Sequence, residues 1–384
     1  MTKKCLIIYP FFAYYRKHIF DALFAANFGW EFELVGDSVN TYGIKGIDPN
    51  LAIAPKEKGG YTWTIVKNYL PFGKRIPFHW QPGVFARILK KDYDAVIMLG
   101  SINYLAYILC IPIFKYLRIP IVFWTHGFLG KDKKLIKYLR HLLYLQSDSL
   151  LLYGKRANQI MDSSGLYGGK KKYIIYNSLD YSQIKPAVAE DNEELKRELF
   201  KYPELPVVVA VGRINKEKKL DFLVKALAQS INKHQKEFNL LIIGEGPELS
   251  VLKGMVRKNS LEDYVNFAGE IYGERVYKYL SIAKLSVIPG NVGLSAMHAM
   301  ALGIPVISHN NFNIQMPEFE AIEEGVTGSF YEEGDLESLV LKIHYWISGS
   351  ICSEKTKQKC LSVISLKYHV NHQIKVIKEC LQNL

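Results

Sequence analysis

Along the chain, short runs of β-branched and apolar residues alternate with longer stretches whose apolar positions recur at helical spacing. One series of runs predicts strands at Cys5–Tyr9, Glu31–Gly36, Ala95–Leu99, Ile119–Trp124, Ser149–Tyr153 and Lys172–Tyr176. A second series predicts them at Val207–Val211, Asn239–Gly244, Val265–Ala268, Leu285–Ile288 and Pro305–Ser308. Strands that are apolar nearly throughout, and separated by helical segments, belong to parallel sheets covered on both faces. Two such series predict an α/β chain of two doubly wound, Rossmann-like domains facing each other across a cleft.

The 384 residues suit two domains better than one core. The pattern places an N-terminal domain at 1–180, a linker at 181–204 and a C-terminal domain at 205–355. A terminal helical segment at 356–384 is expected to pack back towards the N-terminal domain. The charged stretch Glu190–Glu198 reads as a surface helix within the linker. The run before Pro10 is too short for a signal-peptide core and reads as a first strand. The most membrane-like stretch, Tyr104–Trp124, is interrupted by Pro112, Lys115, Arg118 and Pro120. A span needs ~20 apolar residues, so this stretch reads as a buried helix followed by a buried strand.

Charge alters the picture more than composition does. With 49% hydrophobic and 22% charged residues the chain is globular, and its net charge is +12. Residues 1–190 hold 26 Lys/Arg against 13 Asp/Glu, whereas 191–384 hold 23 against 24. All the excess positive charge therefore lies in the N-terminal half, which points to an extended anionic partner such as a membrane surface or a nucleic acid. The five cysteines (Cys5, Cys110, Cys352, Cys360, Cys380) form no CxxC pair, which argues for a reducing compartment without disulfides or structural zinc.

Ligands of open parallel sheets bind beyond the carboxyl ends of the strands, so chemistry is sought there. Gly212-Arg213, with Lys218 and Asp221 following, sets two cations at a strand end, suited to clamping a pyrophosphate. A solvated lysine-rich loop would read the same way. Gly244-Glu-Gly-Pro247 is a tight turn that lacks the third glycine of GxGxxG, since Leu249 stands there, which weakens a nicotinamide or flavin reading. In Pro289–Pro305, Gly293 permits close backbone approach, a helix begins near Leu294 and Ser295, and His298 lies about one turn into it. His126-Gly127 ends a buried strand and is placed for a substrate contact or for a satisfied loop histidine. Asn177 and Asp180 close the last N-domain strand as caps or as ligand contacts.

In their order and spacing these residues resemble the retaining glycosyltransferase family 4, of GT-B architecture. Gly212-Arg213, Lys218 and Asp221 stand in that family's strand–GR–(four residues)–K pattern. Gly244–Pro247, Val265–Gly269, Gly293-Leu294, Ala299–Ala301, Gly303–Val306, Pro317-Glu318, Gly325, Gly328 and Gly334-Asp335 continue the likeness. The N-terminal half fits more loosely, through Pro10–Arg16, His126-Gly127 and Asn177/Asp180. The resemblance implies a UDP- or GDP-linked sugar donor, its diphosphate held by Arg213, Lys218 and the backbone at Gly293-Leu294. Gly212, Gly269, Asn291, Ser295, His298 and Glu318 would complete the donor site, with His126 near the anomeric carbon. Transfer of a hexose-type sugar with retention would then need no protein nucleophile, no metal and no cofactor. The family's two glutamates, eight positions apart, align with Gly290 and His298, so the donor would be read by other contacts, or the site would be impaired.

The N-domain cations cluster in Arg16–His18, Lys67–Lys91 and Lys131–His141. In the last of these, Lys133, Lys137 and Arg140 share one side of a helix, and Leu135, Leu139, Leu142 and Leu143 group on another, expected to pack on the sheet. Phe11, Phe12, Tyr14, Tyr15 and the Tyr69–Gly73 loop are candidate exposed aromatics. A cytoplasmic enzyme, peripheral at the inner face of the cell membrane, that extends a glycan or a polyprenyl-diphosphate-linked acceptor for surface polysaccharide would use such a face. Two other readings stay open: a non-catalytic nucleotide-sugar-binding or scaffolding relative, and a nucleic-acid-binding protein, though no nucleic-acid module is recognisable. A two-Rossmann epimerase is a lesser alternative.

Overall fold

The computed structural model describes residues 2–39, 44–52, 59–71, 73, 78–89, 93–128, 130, 132–182, 184, 192–235, 237–348 and 354–384. The chain divides into two compact units, Met1–Ser178 with Val370–Leu384, and Leu179–His369. Cys352, Glu190, Phe72, Lys74, Arg75, Lys90, Lys91 and Lys131, which entered the expectations above, lie outside the described residues.

In the first unit, strands β1 (Lys3–Phe11), β2 (Trp30–Asp37), β3 (Trp63–Ile65), β4 (Ala95–Leu99), β5 (Ile121–Thr125), β6 (Ser149–Leu152) and β7 (Lys171–Ile174) alternate with helices. These are α1 (Lys17–Ala25), α2 (Gly83–Ile88), α3 (Leu105–Tyr116), α4 (Lys134–Leu145) and α5 (Lys155–Ser163). Among the described residues the strands pair in the order β3-β2-β1-β4-β5-β6-β7, all parallel. Side chains of a strand alternate between faces, and here both faces are buried. Leu6 and Ile8 enter one core with Val96, Met98, Tyr107 and Phe114. Cys5, Ile7 and Tyr9 enter the other with Ala95, Ile97, Phe20 and Trp124. That is why β1 reads as an unbroken apolar run. The Tyr104–Trp124 stretch resolves into α3 and β5, and among the described residues no helix is long and apolar enough to cross a membrane.

The second unit holds β8 (Val207–Val211), β9 (Asn239–Ile243), β10 (Val265–Gly269), β11 (Leu285–Val287), β12 (Val306–His309) and β13 (Gly328–Tyr331). Its helices are α6 (Asn192–Leu199), α7 (Leu220–His234), α8 (Leu249–Lys258), α9 (Glu274–Ser281), α10 (Leu294–Met300), α11 (Leu336–Ile347) and α12 (Glu354–Lys367). The parallel order is β10-β9-β8-β11-β12-β13. One core joins Val208 and Ala210 to Leu223 and Leu227 of α7 and to Leu339, Ile343 and Trp346 of α11. A final helix, α13 (Val370–Gln382), belongs to the first unit, where Val376, Ile377, Cys380 and Leu381 join the core beside β1. The helical expectation beyond Asp335 thus resolves into three helices in two units. Cys5, Cys110, Cys360 and Cys380 are buried.

Two expectations are corrected. Strands β3 and β13 were not anticipated: β3 has three residues, and β13 opens on Gly328, so neither carries the apolar run that marks its neighbours. The leucines of α4 do not all pack on the sheet. Leu143 and Tyr144 are buried, but Leu135 is 67% exposed, Leu139 40% and Leu142 44%. Polar side chains tie the helix down in their place: Arg140 Nη1 donates to Gly127 O at 3.2 Å, and His141 Nδ1 pairs with the Tyr167 hydroxyl at 2.9 Å.

Candidate functional site

In both sheets the strand order reverses beside the first strand, between β1 and β4 and between β8 and β11. Such switch points open a crevice at the carboxyl ends of the strands. In the second unit the loops flanking the crevice are Gly212–Lys219 and Ile288–Gly293, and they hold most of the expected donor residues.

Gly212 has φ 133°, a conformation that L side chains rarely adopt. The chain then turns through buried Ile214, and Asn215 caps a short 3-10 turn, Lys216–Lys218, by accepting from Lys218 N at 3.2 Å. Arg213 is exposed; its carbonyl accepts from Asn215 N at 3.0 Å, and its guanidinium makes no hydrogen bond or ion pair among the described residues. Lys218 turns inward, and its Nζ donates to Asn291 O at 2.6 Å. Burial holds its ammonium below the usual lysine range, against the opposing pull of Glu318 and Glu217. Glu318, only 4% exposed, lies in the 3-10 segment Pro317–Ala321. Lys219 bridges to Glu333 at 2.7 Å, anchoring the start of α7.

The second loop is bolted to the first. Gly290 N donates to Lys218 O at 2.9 Å, and Asn291 N to Glu217 O at 3.1 Å. From below, Tyr331 hydroxyl donates to Pro289 O at 2.6 Å, Ser308 Oγ to Gly290 O at 3.1 Å, and Val292 N to Gln315 Oε1 at 2.8 Å. Gly290 has no room for a side chain: a Cβ there would lie 1.9 Å from Glu217 O. Gly293 differs, since its Cβ would meet only Lys218 Nζ, at 3.7 Å. It precedes α10 without any side-chain cap. Ser295 is buried with its hydroxyl unpaired among the described residues. Leu294 lies beside it in the same turn.

His298 Nδ1 pairs with the Tyr277 hydroxyl at 3.1 Å, and burial pulls its pKa down to about 4, so the imidazole is neutral at pH 7. Gly269, at φ 71°, accepts from Gly244 N at 2.7 Å, and its Cα faces the Glu245 carboxylate. This second-unit group therefore comprises Gly212, Arg213, Lys218, Asn291, Gly293, Leu294, Ser295, His298 and Glu318, with Gly269 on the neighbouring strand end. Sequence reasoning missed the scaffold of Gln315, Ser308, Tyr331 and Tyr277, whose residues share no motif. Asn215 alone carried a signal, an N-cap residue type three positions before Lys218.

His126 belongs to the first unit, at the end of β5. Its ring packs against Tyr153 at a 36° tilt, with centroids 4.5 Å apart. Burial, then the positive charges of Arg16 and Arg140, lower its pKa to about 4. Gly127, at φ 63°, turns the chain immediately after it. Chemically, the second-unit loops offer one exposed guanidinium, one half-buried ammonium and the backbone N–H groups at the start of α10, with the carboxylates of Glu318 and Glu217 acting on the ammonium. Such a set binds a diphosphate and stabilises negative charge developing on it.

Residues 191–361 match the family described as Glycosyl transferases group 1. The chain is 24% identical over 192 residues to alpha-D-kanosaminyltransferase of Streptomyces kanamyceticus, covering 49% of this chain and 48% of that one. It is 27% identical over 226 residues to N-acetyl-alpha-D-glucosaminyl L-malate synthase of Bacillus anthracis, covering 57% and 56%. The chain thus spans about half the length of the curated relatives it matches. Anabaena Alr3699/HepE, solved in complex with UDP, is similar in fold across 100% of both chains, with a TM-score of 0.72 at 16% identity. Residues 191–361 are thus similar to glycosyl transferases group 1, and the two parallel-sheet, Rossmann-like domains have the GT-B fold.

Proposed function

We propose that the protein is a retaining glycosyltransferase that moves a hexose-type sugar from a UDP- or GDP-linked donor to a glycan or lipid-linked acceptor in surface polysaccharide synthesis. The observation that carries this is the Lys218 ammonium beside the uncapped backbone at Gly293, with Arg213 exposed on the same loop as Lys218, at the switch point of the second sheet. Arg213 and Lys218 grip the diphosphate, and the N–H groups following Gly293 face its oxygens. As the bond from the anomeric carbon to phosphate oxygen breaks, an acceptor oxygen bonds on the same face, and its proton passes to the departing phosphate. The two cations stabilise the charge that develops there. The ribose and sugar hydroxyls are read by His298, Asn291 and Glu318 in place of two glutamates.

The exposed leucines of α4 give the acceptor side its setting. Leu135, Leu139 and Leu142, with Tyr138 at 60% exposure, lie among Lys133, Lys134 and Lys137. An apolar face ringed by lysines suits the inner face of an anionic membrane, with about 1 kcal/mol per well-placed cation.

The test is turnover of a panel of UDP- and GDP-sugars by wild-type protein and by an Arg213→Ala/Lys218→Ala variant, with the anomeric configuration of the product read by proton NMR. Wild type should release nucleotide and give product of retained configuration, and the variant should not. Equal turnover across the panel would remove the clamp from the reaction. Tight donor binding without turnover would favour the scaffolding reading.

A further inference from the structure

One cation of the first unit has no place in the donor site. Arg16 ends the turn that follows β1, at the switch point of the seven-stranded sheet. It is 6% exposed, yet its Nε and Nη2 have no hydrogen-bond partner, and no carboxylate bridges it among the described residues. Aromatic rings surround it instead: its guanidinium carbon lies 4.3 Å from the Trp124 ring centroid, 4.5 Å from that of Tyr9 and 5.6 Å from that of Phe20. Rings stacked on a guanidinium cover its flat faces and leave the N–H donors, which lie in its plane, pointing outward at the edge. A buried cation with two of its nitrogens left unpartnered is costly to keep, so the arrangement calls for an anionic partner.

The neighbours narrow its chemistry. His126 packs on Tyr153, whose ring centroid lies 6.2 Å from that of Trp124, the ring that Arg16 covers; the imidazole is partly exposed and has no hydrogen-bond partner among the described residues. A neutral imidazole donates one N–H. Tyr14 and Tyr15, exposed on the same turn as Arg16, add aromatic surface at the rim. The guanidinium edge alone would saturate a carboxylate's two oxygens. With the imidazole N–H it supplies donors for three oxygens, as a tetrahedral phosphoryl group presents.

We propose that Arg16 and His126 form a phosphoryl-binding subsite in the N-terminal unit, which takes the phosphate or diphosphate group of the acceptor. This rests on the glycosyl-transfer reading only for the word acceptor; the anion site itself stands on Arg16 and His126. A donor diphosphate has the same chemistry, so the test must separate the two sources.

Full-length protein labelled with 15N-histidine, the His126 signal assigned with His126→Gln, is titrated with pyrophosphate and with geranyl diphosphate. In wild type and in Arg213→Ala/Lys218→Ala alike, both probes should move the His126 imidazole signals. Arg16→Met, which keeps an apolar stem between the rings, should weaken that response about tenfold or more, as expected for loss of a charge-assisted fork, while UDP binding stays near wild type. Arg16→Lys should lie between. The assignment fails if His126 does not respond in wild type, or if Arg16→Met responds as wild type does. It also fails if the response vanishes in Arg213→Ala/Lys218→Ala, which would mark the anion as one held by the donor clamp. Should Arg16→Met not fold, the response of the Arg213→Ala/Lys218→Ala protein decides alone. The glycosyl-transfer reading fails separately, through absence of turnover in the donor panel.

Discussion

Gly290→Ala should damage both stability and nucleotide binding, although it adds a single methyl group. That methyl carbon would lie 1.9 Å from Glu217 O, 2.8 Å from Glu217 C and 2.7 Å from Lys218 C. Carbon and carbonyl oxygen approach no closer than ~3.3 Å without strain, so the two loops must part by more than ~1 Å. The obstacle is backbone, so no rotamer change relieves it. Parting the loops stretches the bonds from Gly290 N to Lys218 O and from Asn291 N to Glu217 O, now 2.9 and 3.1 Å, beyond useful length. It also pulls Asn291 O from Lys218 Nζ. Overpacking costs about 1–3 kcal/mol and each lost bond about 1 kcal/mol, so a total near 3–5 kcal/mol is expected. Against a usual stability of about 5–15 kcal/mol, most of the protein stays folded.

The assay is urea unfolding with calorimetric titration of UDP, and Gly293→Ala is its control. The Gly293 backbone, at φ −162°, is extended and allowed to any residue, and the added methyl meets only the Lys218 ammonium. Gly293→Ala should therefore keep the wild-type urea midpoint within ~0.5 kcal/mol and lose UDP affinity. Gly290→Ala should lose both, and Gly290→Glu should behave no better, because a glutamate there meets the same carbonyl. A wild-type midpoint and wild-type affinity for Gly290→Ala would refute the view that the two loops are locked together.

Lys218→Met keeps the apolar stem and removes the ammonium, so UDP affinity should fall about 10–100-fold, as expected for a charge-assisted contact; calorimetry that returns wild-type affinity would contradict this. His126 and His298 sit near 4 in the folded chain against about 6.5 in the unfolded one. The unfolded state binds more protons between those values, so their contribution is full above pH ~6.5 and declines towards pH 4, by roughly 1–2 kcal/mol each at pH ~5. A His126→Gln/His298→Gln protein should show a flatter urea midpoint over that range, and an unchanged slope would count against burial as the cause. Replacing Leu135, Leu139 and Leu142 with serine should leave the midpoint within ~0.5 kcal/mol, because all three are exposed, while flotation with anionic liposomes falls; equal flotation would remove α4 from the membrane contact.

Much of the fold was readable because parallel strands buried on both faces cannot hide their composition. β1 shows this, with Leu6 and Ile8 in one core and Cys5, Ile7 and Tyr9 in the other. β3 and β13 escaped because position in the sheet makes them strands, not an apolar run. The cations of the second-unit site were readable for a related reason: Gly212 and Gly293 punctuate strand ends, and Arg213 and Lys218 follow at fixed spacing. What surrounds them was not. Gln315 reaches Val292 N, Ser308 Oγ and His309 O through space that no local pattern encodes.

Arg16 marks the limit of reading charge by counting. In the sequence it is one of 26 cations in a basic half, and it entered a cluster assigned to a membrane surface. In the fold it is buried among Tyr9, Phe20 and Trp124 and cannot meet a bilayer. Lys133, Lys134 and Lys137 instead lie beside exposed leucines, where composition alone would have buried the leucines and solvated only the lysines. A positive half thus resolves into two chemistries: diffuse charge beside apolar surface, which suits an extended anionic face, and one desolvated guanidinium with directed donors, which suits a single phosphoryl group. The first should weaken steadily with ionic strength. The second, held in a low-dielectric aromatic box, should resist salt and respond to the shape of the anion, so the two can be told apart by titrating salt in the same binding experiments.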